Sequence, residues 1–374
     1  MKIALVHDHL CGVGGSERIF QYLCEEFPKA DVYTLSYNSK NTWPYFKNRK
    51  IHTSWLNLFI RNSETFRWSF PISTYVMELL NLTSYDLVLS SSATTAKYVR
   101  APKGGHLCYC YIPTRALWNA GEYFGKSLKG KILKLFLNYL KRRDYEAAQK
   151  IDRFIAISDF SKSYILKYYN KDADVLHCPI ETEKFVPLFK KRKEHYLLIS
   201  RLEKWKRVDY AIEAFNLSGK PLKVIGKGAE GNSLREMSKG NISFLGEVDD
   251  ARLVEEYNEC KAVIFTPFLE YGLIPLEASS CGTPVICYGH GGVNETMIPV
   301  GKSINPTAVF FYEQTPEALN RAIEEFELTS FDPKALTKHA SKWNIETFKK
   351  AMRAKVNDLL SSQSKSTTSA QTSG

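Results

Sequence analysis

Residues 262–286 constrain this chain more than any other stretch. Ala262-Val263-Ile264-Phe265 is an unbroken apolar run of strand length. A Gly-containing loop through Gly272 follows, and Pro275 stands where the first turn of a helix tolerates a missing N–H. Gly282 and Pro284 keep that helix short, and Val285-Ile286-Cys287 starts another apolar run. Strand, loop, short helix, strand is the grammar of an α/β sheet. The backbone N–H groups of Tyr271, Gly272, Leu273 and Ile274 would be open at the helix start, where they favour an anion, phosphate above all. Glu277, one step into the helix, could accept hydrogen bonds from a pair of sugar hydroxyls. A ligand carrying both phosphate and sugar is expected here.

The chain has 374 residues, 44% hydrophobic and 24% charged, enough for two α/β domains. Its formal net charge of +11 suits an anionic partner such as a nucleotide diphosphate or an anionic membrane. Nucleic acid is not expected, because no recognised binding motif accompanies the charge. The eight cysteines form no CxxC pair, so a reduced, cytoplasmic chain is the simpler reading. Lys2 leads directly into a short strand and no apolar run is long enough to span a bilayer. No secretory leader is expected, and any membrane contact would be peripheral.

In the first half, Lys2 to Val6 reads as a central strand running into His7-Asp8-His9 and then Gly12-Val13-Gly14-Gly15-Ser16-Glu17-Arg18. Glycines between a strand and a helix allow close approach of backbone to ligand. His7 and Asp8 stand at the carboxyl end of the strand, the usual edge of an α/β site, and Asp8 is a candidate acceptor contact. Residues 41 to 82 are rich in aromatics, readable as core or as an acceptor-facing insertion. Arg115, after the strand 106–111, is a plausible clamp for an anionic group. From Lys126 to Arg143 there are seven basic residues and no acid, interleaved with apolar ones. That stretch fits a helix lying on an anionic membrane or a core helix with one solvated face. Asp172-Ala173-Asp174 has the form of a metal-binding pair, but it sits where a polar turn is expected and no metal is assigned. Residues 180 to 194 read as a charged interdomain linker.

A second α/β series opens at Tyr196. Leu222-Lys223-Val224-Ile225 leads into Gly226-Lys227-Gly228-Ala229-Glu230-Gly231, a literal GxGxxG, with Glu247 about twenty residues on. An NAD-dependent enzyme is therefore one alternative. Residues 361 to 374 are Ser/Thr-rich without apolar periodicity and read as a disordered tail.

The stretch 262–286 resembles the signature of the retaining, GT-B-fold glycosyltransferases of family 4. The resemblance runs over roughly residues 1 to 355 and is strongest from 196 to 295. It implies two Rossmann-like domains facing across a cleft, here 1–185 for the acceptor and 186–360 for the nucleotide sugar. A C-terminal helix commonly crosses back to the first domain in this fold. The resemblance makes Glu277 the ribose ligand. The donor-sugar glutamate aligns with Leu269, leaving Glu270 one place late. Arg201 and Lys206 match an Arg–Lys pair that grips the donor diphosphate, and fixed cations would stabilise charge developing on that leaving group. Gly14 and Gly15 match a donor-phosphate turn, and Val248 a backbone contact to the base. Tyr109, Cys110, Pro113, Arg115 and Trp118 match a segment of transferases that use GDP-mannose, which makes Arg115 and Trp118 candidate acceptor contacts. Tyr111 replaces its histidine and Asn119 its aspartate. The implied reaction is sugar transfer, mannose from GDP-mannose before others, to a glycan or lipid-linked hydroxyl without metal or cofactor. A nucleotide-sugar-binding protein of impaired activity is the second alternative, motivated by Leu269 and Tyr111.

Overall fold

The computed structural model describes residues 1–118, 128–189 and 191–371, with the side chains of 128–136 and 364–371 excepted. Two compact units emerge: Met1–His177 together with Phe348–Gly374, and Cys178–Thr347. The boundary thus falls earlier than 185/186, and the chain from Phe348 belongs with the first unit.

The first unit contains strands β1 (Ile3–His7), β2 (Asp31–Thr34), β3 (Ile51–Thr53), β4 (Leu87–Ser92), β5 (His106–Cys110), β6 (Arg153–Ala156) and β7 (Ala173–Val175). They form one sheet in the order β3-β2-β1-β4-β5-β6-β7, every pairing parallel. Burial along β1, β4 and β5 is continuous, which is why their sequences do not alternate.

The second unit contains β8 (Tyr196–Ile199), β9 (Leu222–Ile225), β10 (Ile242–Gly246), β11 (Val263–Phe265), β12 (Val285–Tyr288) and β13 (Ala308–Phe311). Their order, β10-β9-β8-β11-β12-β13, is again all parallel. Numbered within the unit this is 3-2-1-4-5-6, the doubly wound arrangement in which the loops after strands 1 and 4 part on opposite faces and leave a crevice. Here those loops follow β8 and β11. Both units are therefore Rossmann-like, and the architecture is that of a GT-B fold.

Two expectations need correction. Residues 180–194 are not a free linker, because the described part of the segment is strapped onto the second unit. Ile180 N–H donates to Trp343 O at 2.8 Å, and Phe185 is buried in the core beside Tyr257. Arg192 donates to the carbonyls of Cys260 (2.9 Å) and Gly282 (2.6 Å) and to Thr283 Oγ1 (2.8 Å). A guanidinium has five donors in a fixed fork, so one side chain can close several carbonyl ends at once. The second correction concerns the tail, whose backbone is helical from Ile345 to Gln371. Phe348, Met352, Val356 and Leu359 are buried at helical spacing, and Lys349–Glu25 (2.8 Å) and Lys355–Asp174 (3.1 Å) pair along the same helix. Once such a helix is seated, each further residue adds a bond without a new nucleus.

Candidate active site

Arg201 and Lys206 lie on the loop that leaves β8 at the crevice. Ser200 to Lys206 ends in a short 3-10 turn, Lys204–Lys206, and Arg207 follows in the left-handed region at φ 52°. The Trp205 ring, half-exposed at 40%, collects both cations: Arg201 Cζ is 5.6 Å and Lys206 Nζ 4.2 Å from its centroid. Cation–π attraction draws both side chains towards one surface. The loop after β11 is tied to this one. Thr266 Oγ1 donates to Lys206 O at 2.9 Å, while Tyr210 Oη (2.8 Å) and Gln314 Nε2 (3.0 Å) both donate to Thr266 O. The Arg201–Lys206 pair is therefore carried on backbone clamped to the 266–272 loop.

That loop enters the helix Leu273–Ser280 through Gly272, and no side chain caps its start. Leu273 and Ile274 are half-buried there, and Pro275 brings no N–H. Tyr271 is turned inward, its hydroxyl donating to Cys178 O at 3.0 Å, so its side chain supplies no anion contact. Glu277 is buried, and its Oε2 accepts from Tyr257 Oη at 2.8 Å. Tyr257, which the sequence reading missed, holds one carboxylate oxygen in place. Its phenol is kept protonated, first by burial and then by the Glu277 charge.

Leu269 and Glu270 part company. Leu269 packs against the core around Val293 and Phe265, and its carbonyl accepts Gly292 N–H at 2.9 Å. Glu270 is half-buried, and a Cβ on Gly292 would lie 2.0 Å from Glu270 O. The Gly289–Gly292 turn is thus a seat for the 268–271 backbone. Val248, on the loop after β10, packs half-buried on the same core.

The GxGxxG segment serves the same site. Gly226 has φ +129°, and a Cβ there would stand 1.9 Å from Ser200 O. Leu202 N donates to Lys227 O and Glu230 N to Leu202 O, each at 2.9 Å. The turn follows β9, the second strand of its unit, whereas a dinucleotide fingerprint follows the first. Glu247, expected to reach a ribose in the NAD reading, pairs at the surface with Lys227 at 2.9 Å. These glycines support the Arg201 loop.

In the first unit the polar groups at the strand ends bind one another. Asp8 is buried, and its carboxylate accepts from the backbone N–H groups of Ala93, Thr94, Thr95 and Ala96 at 2.6–2.9 Å. Two contacts per oxygen leave no lone pair for an acceptor, so Asp8 caps the 93–96 turn and the acceptor role expected of it is withdrawn. His7 stacks on Phe20 at 4.7 Å and its Nδ1 lies 3.1 Å from both Ser91 O and Ser91 Oγ. Burial lowers its pKa to about 4, against the pull of Asp8, so it is neutral at physiological pH. Tyr111 Oη lies 2.9 Å from Ser91 Oγ and donates to Ser16 O at 3.0 Å, fastening the glycine turn. Gly14 precedes the helix Gly15–Glu26 without a side-chain cap, and its carbonyl accepts Trp43 Nε1 at 3.1 Å.

Trp118 also turns inward: Nε1 donates to Asp144 Oδ2 at 2.8 Å and the ring stacks on Tyr168 at 4.8 Å. Arg115 opens the same short helix, half-buried. Asp144 is fully buried and also accepts from Tyr98 Oη (2.8 Å), Tyr169 Oη (2.7 Å) and Lys97 Nζ (2.8 Å). Sequence reading missed this hub, because Lys97 and Asp144 are 47 positions apart with nothing local to link them. Asp172 pairs with Lys162 at 3.0 Å and Asp174 with Arg153 at 2.8 Å, so both acids of the candidate metal pair are engaged by cations. Asn119 lies outside the described residues, as do the side chains of Lys126, Lys129, Lys131 and Lys134.

The family described as Glycosyl transferases group 1 matches residues 179–343, and Glycosyltransferase Family 4 matches residues 13–184. The O-antigen chain mannosyltransferase B of Escherichia coli is 26% identical over 200 residues, 46% of this chain and 52% of that protein. The match thus spans about half of that relative's length. The Saccharomyces cerevisiae alpha-1,3/1,6-mannosyltransferase ALG2 is 23% identical over 79% of this chain and 71% of its own. Among solved structures, the sucrose-phosphate synthase of Thermosynechococcus elongatus superposes with a TM-score of 0.71 at 17% identity, over 97% of this chain and all of its own. That likeness carries the fold, and the two adjoining family matches carry the class. With two parallel Rossmann-like sheets and both halves matched in sequence, the chain belongs to the GT-B glycosyltransferases of family 4.

Proposed function

We propose that this glycosyltransferase moves mannose from GDP-mannose to a hydroxyl of a glycan or lipid-linked acceptor, with retention at the anomeric carbon. The observation that carries the reading is the cation pair Arg201 and Lys206 gathered at Trp205, on backbone joined to the loop that leads to Glu277. The mannosyltransferase names of both relatives favour mannose. Glu277 receives the ribose hydroxyls, and the backbone of Tyr271 to Ile274 and of Val248 faces the nucleotide. Breaking the glycosyl phosphate bond places negative charge on the departing diphosphate, which Arg201 and Lys206 stabilise. The leaving phosphate takes the acceptor proton on the face from which the hydroxyl attacks, so neither an enzymic nucleophile nor a metal is required. Glu270 orients the donor sugar. In the first unit, Gly14, Gly15 and Arg115 are the groups offered to phosphate and acceptor. Residues 126–143 supply a peripheral contact with an anionic membrane.

Thermal stabilisation and slow hydrolysis across a panel of nucleotide sugars test this. GDP and GDP-mannose are expected to raise the melting temperature at sub-millimolar concentration, with or without chelator, because a ligand of the native state stabilises it by mass action. Stabilisation by UDP-sugars alone would reassign the donor. Stabilisation by NAD alone would overturn the reading. A second reading, a nucleotide-sugar binder with weak transfer, rests on Leu269, whose side chain packs half-buried against the core where the family carries an acid. It predicts stabilisation by GDP-mannose without turnover.

A further inference from the structure

The helix Ser63–Glu78 is apolar on two opposite sides. Phe66, Phe70 and Met77 form a buried stripe, completed by Ser73. Two residues further on, about 200° around the axis, runs a second stripe of Trp68, Ile72, Tyr75 and Leu79. These four are 53%, 56%, 42% and 65% exposed. A helix on the surface of a globular unit ordinarily carries charge on its outer face. This one has only Glu64, Arg67 and Glu78 along its whole length. A contiguous outward apolar face of that kind marks an interaction surface.

The surroundings identify its occupant. The neighbouring helix Leu128–Gln149 meets the stripe through Tyr139, itself 52% exposed, whose hydroxyl is 2.6 Å from that of Tyr75. Arg143 lies over the Tyr75 ring at 3.7 Å and, with Lys150, neutralises Glu78 at 2.8 and 3.1 Å. Arg142 is 80% exposed on the same helix, which belongs to the stretch with seven basic residues and no acid between 126 and 143. Tryptophan and tyrosine between aliphatic side chains and cations match the boundary between headgroups and acyl chains. A second copy of the chain would bring the same cations face to face, which opposes an isologous pairing.

We propose that the Trp68–Ile72–Tyr75–Leu79 stripe is a docking face for an anionic lipid bilayer, inserted at headgroup depth. This rests on the peripheral contact already proposed for 126–143, and adds the element that supplies apolar anchorage. Cosedimentation of the full chain with phosphatidylcholine vesicles containing about 30% phosphatidylglycerol tests it. Trp68→Ser with Ile72→Ser is expected to lower partitioning about tenfold or more while the variant keeps the circular-dichroism spectrum of the folded chain, both side chains being more than half exposed. Leu79→Ser, past the end of the helix, should shift it in the same direction and decides the matter if the double variant unfolds. Glutamine at Lys126, Lys129, Lys131 and Lys134 separates the two contributions. If that change abolishes binding while the stripe variants bind as the unaltered chain does, the stripe is overturned and the basic contact stands. No binding by the unaltered chain overturns both. A lipid-free dimer that becomes a monomer with Trp68→Ser and Ile72→Ser assigns the face to a second copy and also overturns the proposal.

Discussion

The two sheets share the order 3-2-1-4-5-6, to which the first adds a seventh strand, and differ in what their carboxyl ends do. In the first unit the polar residues there face one another: Asp8 with four backbone N–H groups, His7 with Ser91, and Lys97 with Asp144. In the second unit Arg201 is exposed and Lys206 half-buried, and both meet a half-exposed Trp205. A charge removed from water must be paired within the protein, whereas one left at the surface can be paired by a ligand. The contrast separates architecture from chemistry within one topology. It also explains why a His-Asp pair at a strand end, attractive as a site in sequence, proves to be scaffolding.

The sharpest way to break that contrast is at the Asp144 hub. Asp144→Ala strands a buried Lys97 and four hydroxyl or indole donors, those of Tyr98, Thr114, Trp118 and Tyr169, and should cost about 3–5 kcal/mol of stability. Urea unfolding followed by circular dichroism measures it, and a loss below about 1 kcal/mol would mean that the hub is not architectural. Arg201→Ala or Lys206→Ala should do the reverse. Turnover is expected to fall about 10²-fold or more with stability unchanged, as when one preorganised electrostatic donor is removed. Full activity in both variants would end the assigned roles.

Glu256 places the contrast inside the second unit. It is buried, with His195 Nε2 at 3.1 Å and Lys223 Nζ at 2.9 Å, and Arg252 also reaches it. Burial opposes its ionisation, but the hydrogen bonds from His195 and Lys223 and the charges of Lys223 and Arg252 prevail, lowering its pKa from 4.5 to about 2. A depressed carboxylate stabilises the fold above its unfolded pKa, and the contribution drains away between pH 4.5 and about 2. Glu256→Gln should therefore cost about 2 kcal/mol at pH 7 and flatten the acid limb of the melting curve. An unaltered acid limb would remove Glu256 from the account. The smallest expected effect is at Glu270. Glu270→Gln should reduce transfer about tenfold and leave GDP affinity unchanged if its carboxylate orients the sugar. Unchanged kinetics would clear Glu270 from the site. A gain of transfer in Leu269→Glu would then favour the weakened-enzyme reading.

Much of the fold was legible. Runs such as Ala262–Phe265 and Leu222–Ile225, each ending in glycine or a polar turn, mark parallel strands because burial on both faces forbids alternation. The second-unit site was legible through the family resemblance and local order together: Arg201 and Lys206 sit on the loop after one strand, and Glu277 in the first turns of the short helix after another, so both lie at one sheet edge. The first-unit expectations fared differently. Asp8 and Trp118 are as well placed in sequence as Arg201, yet Asp8 is closed by the 93–96 turn and Trp118 by Asp144.

By itself, then, the sequence determined the α/β class and the two successive α/β series, which follow from periodicity and punctuation along the chain, while the family resemblance supplied the Rossmann-like pattern and the segments that carry the candidate site. Tertiary structure alone decided which polar groups are buried against one another. The 180–194 segment became a strap because Arg192 found carbonyls 68 and 90 positions away. The helix Ser63–Glu78 gained an outward apolar stripe because its other stripe was taken by the core. Hydrogen-bond and packing partners are chosen by proximity in space, and no local pattern encodes a neighbour that distant.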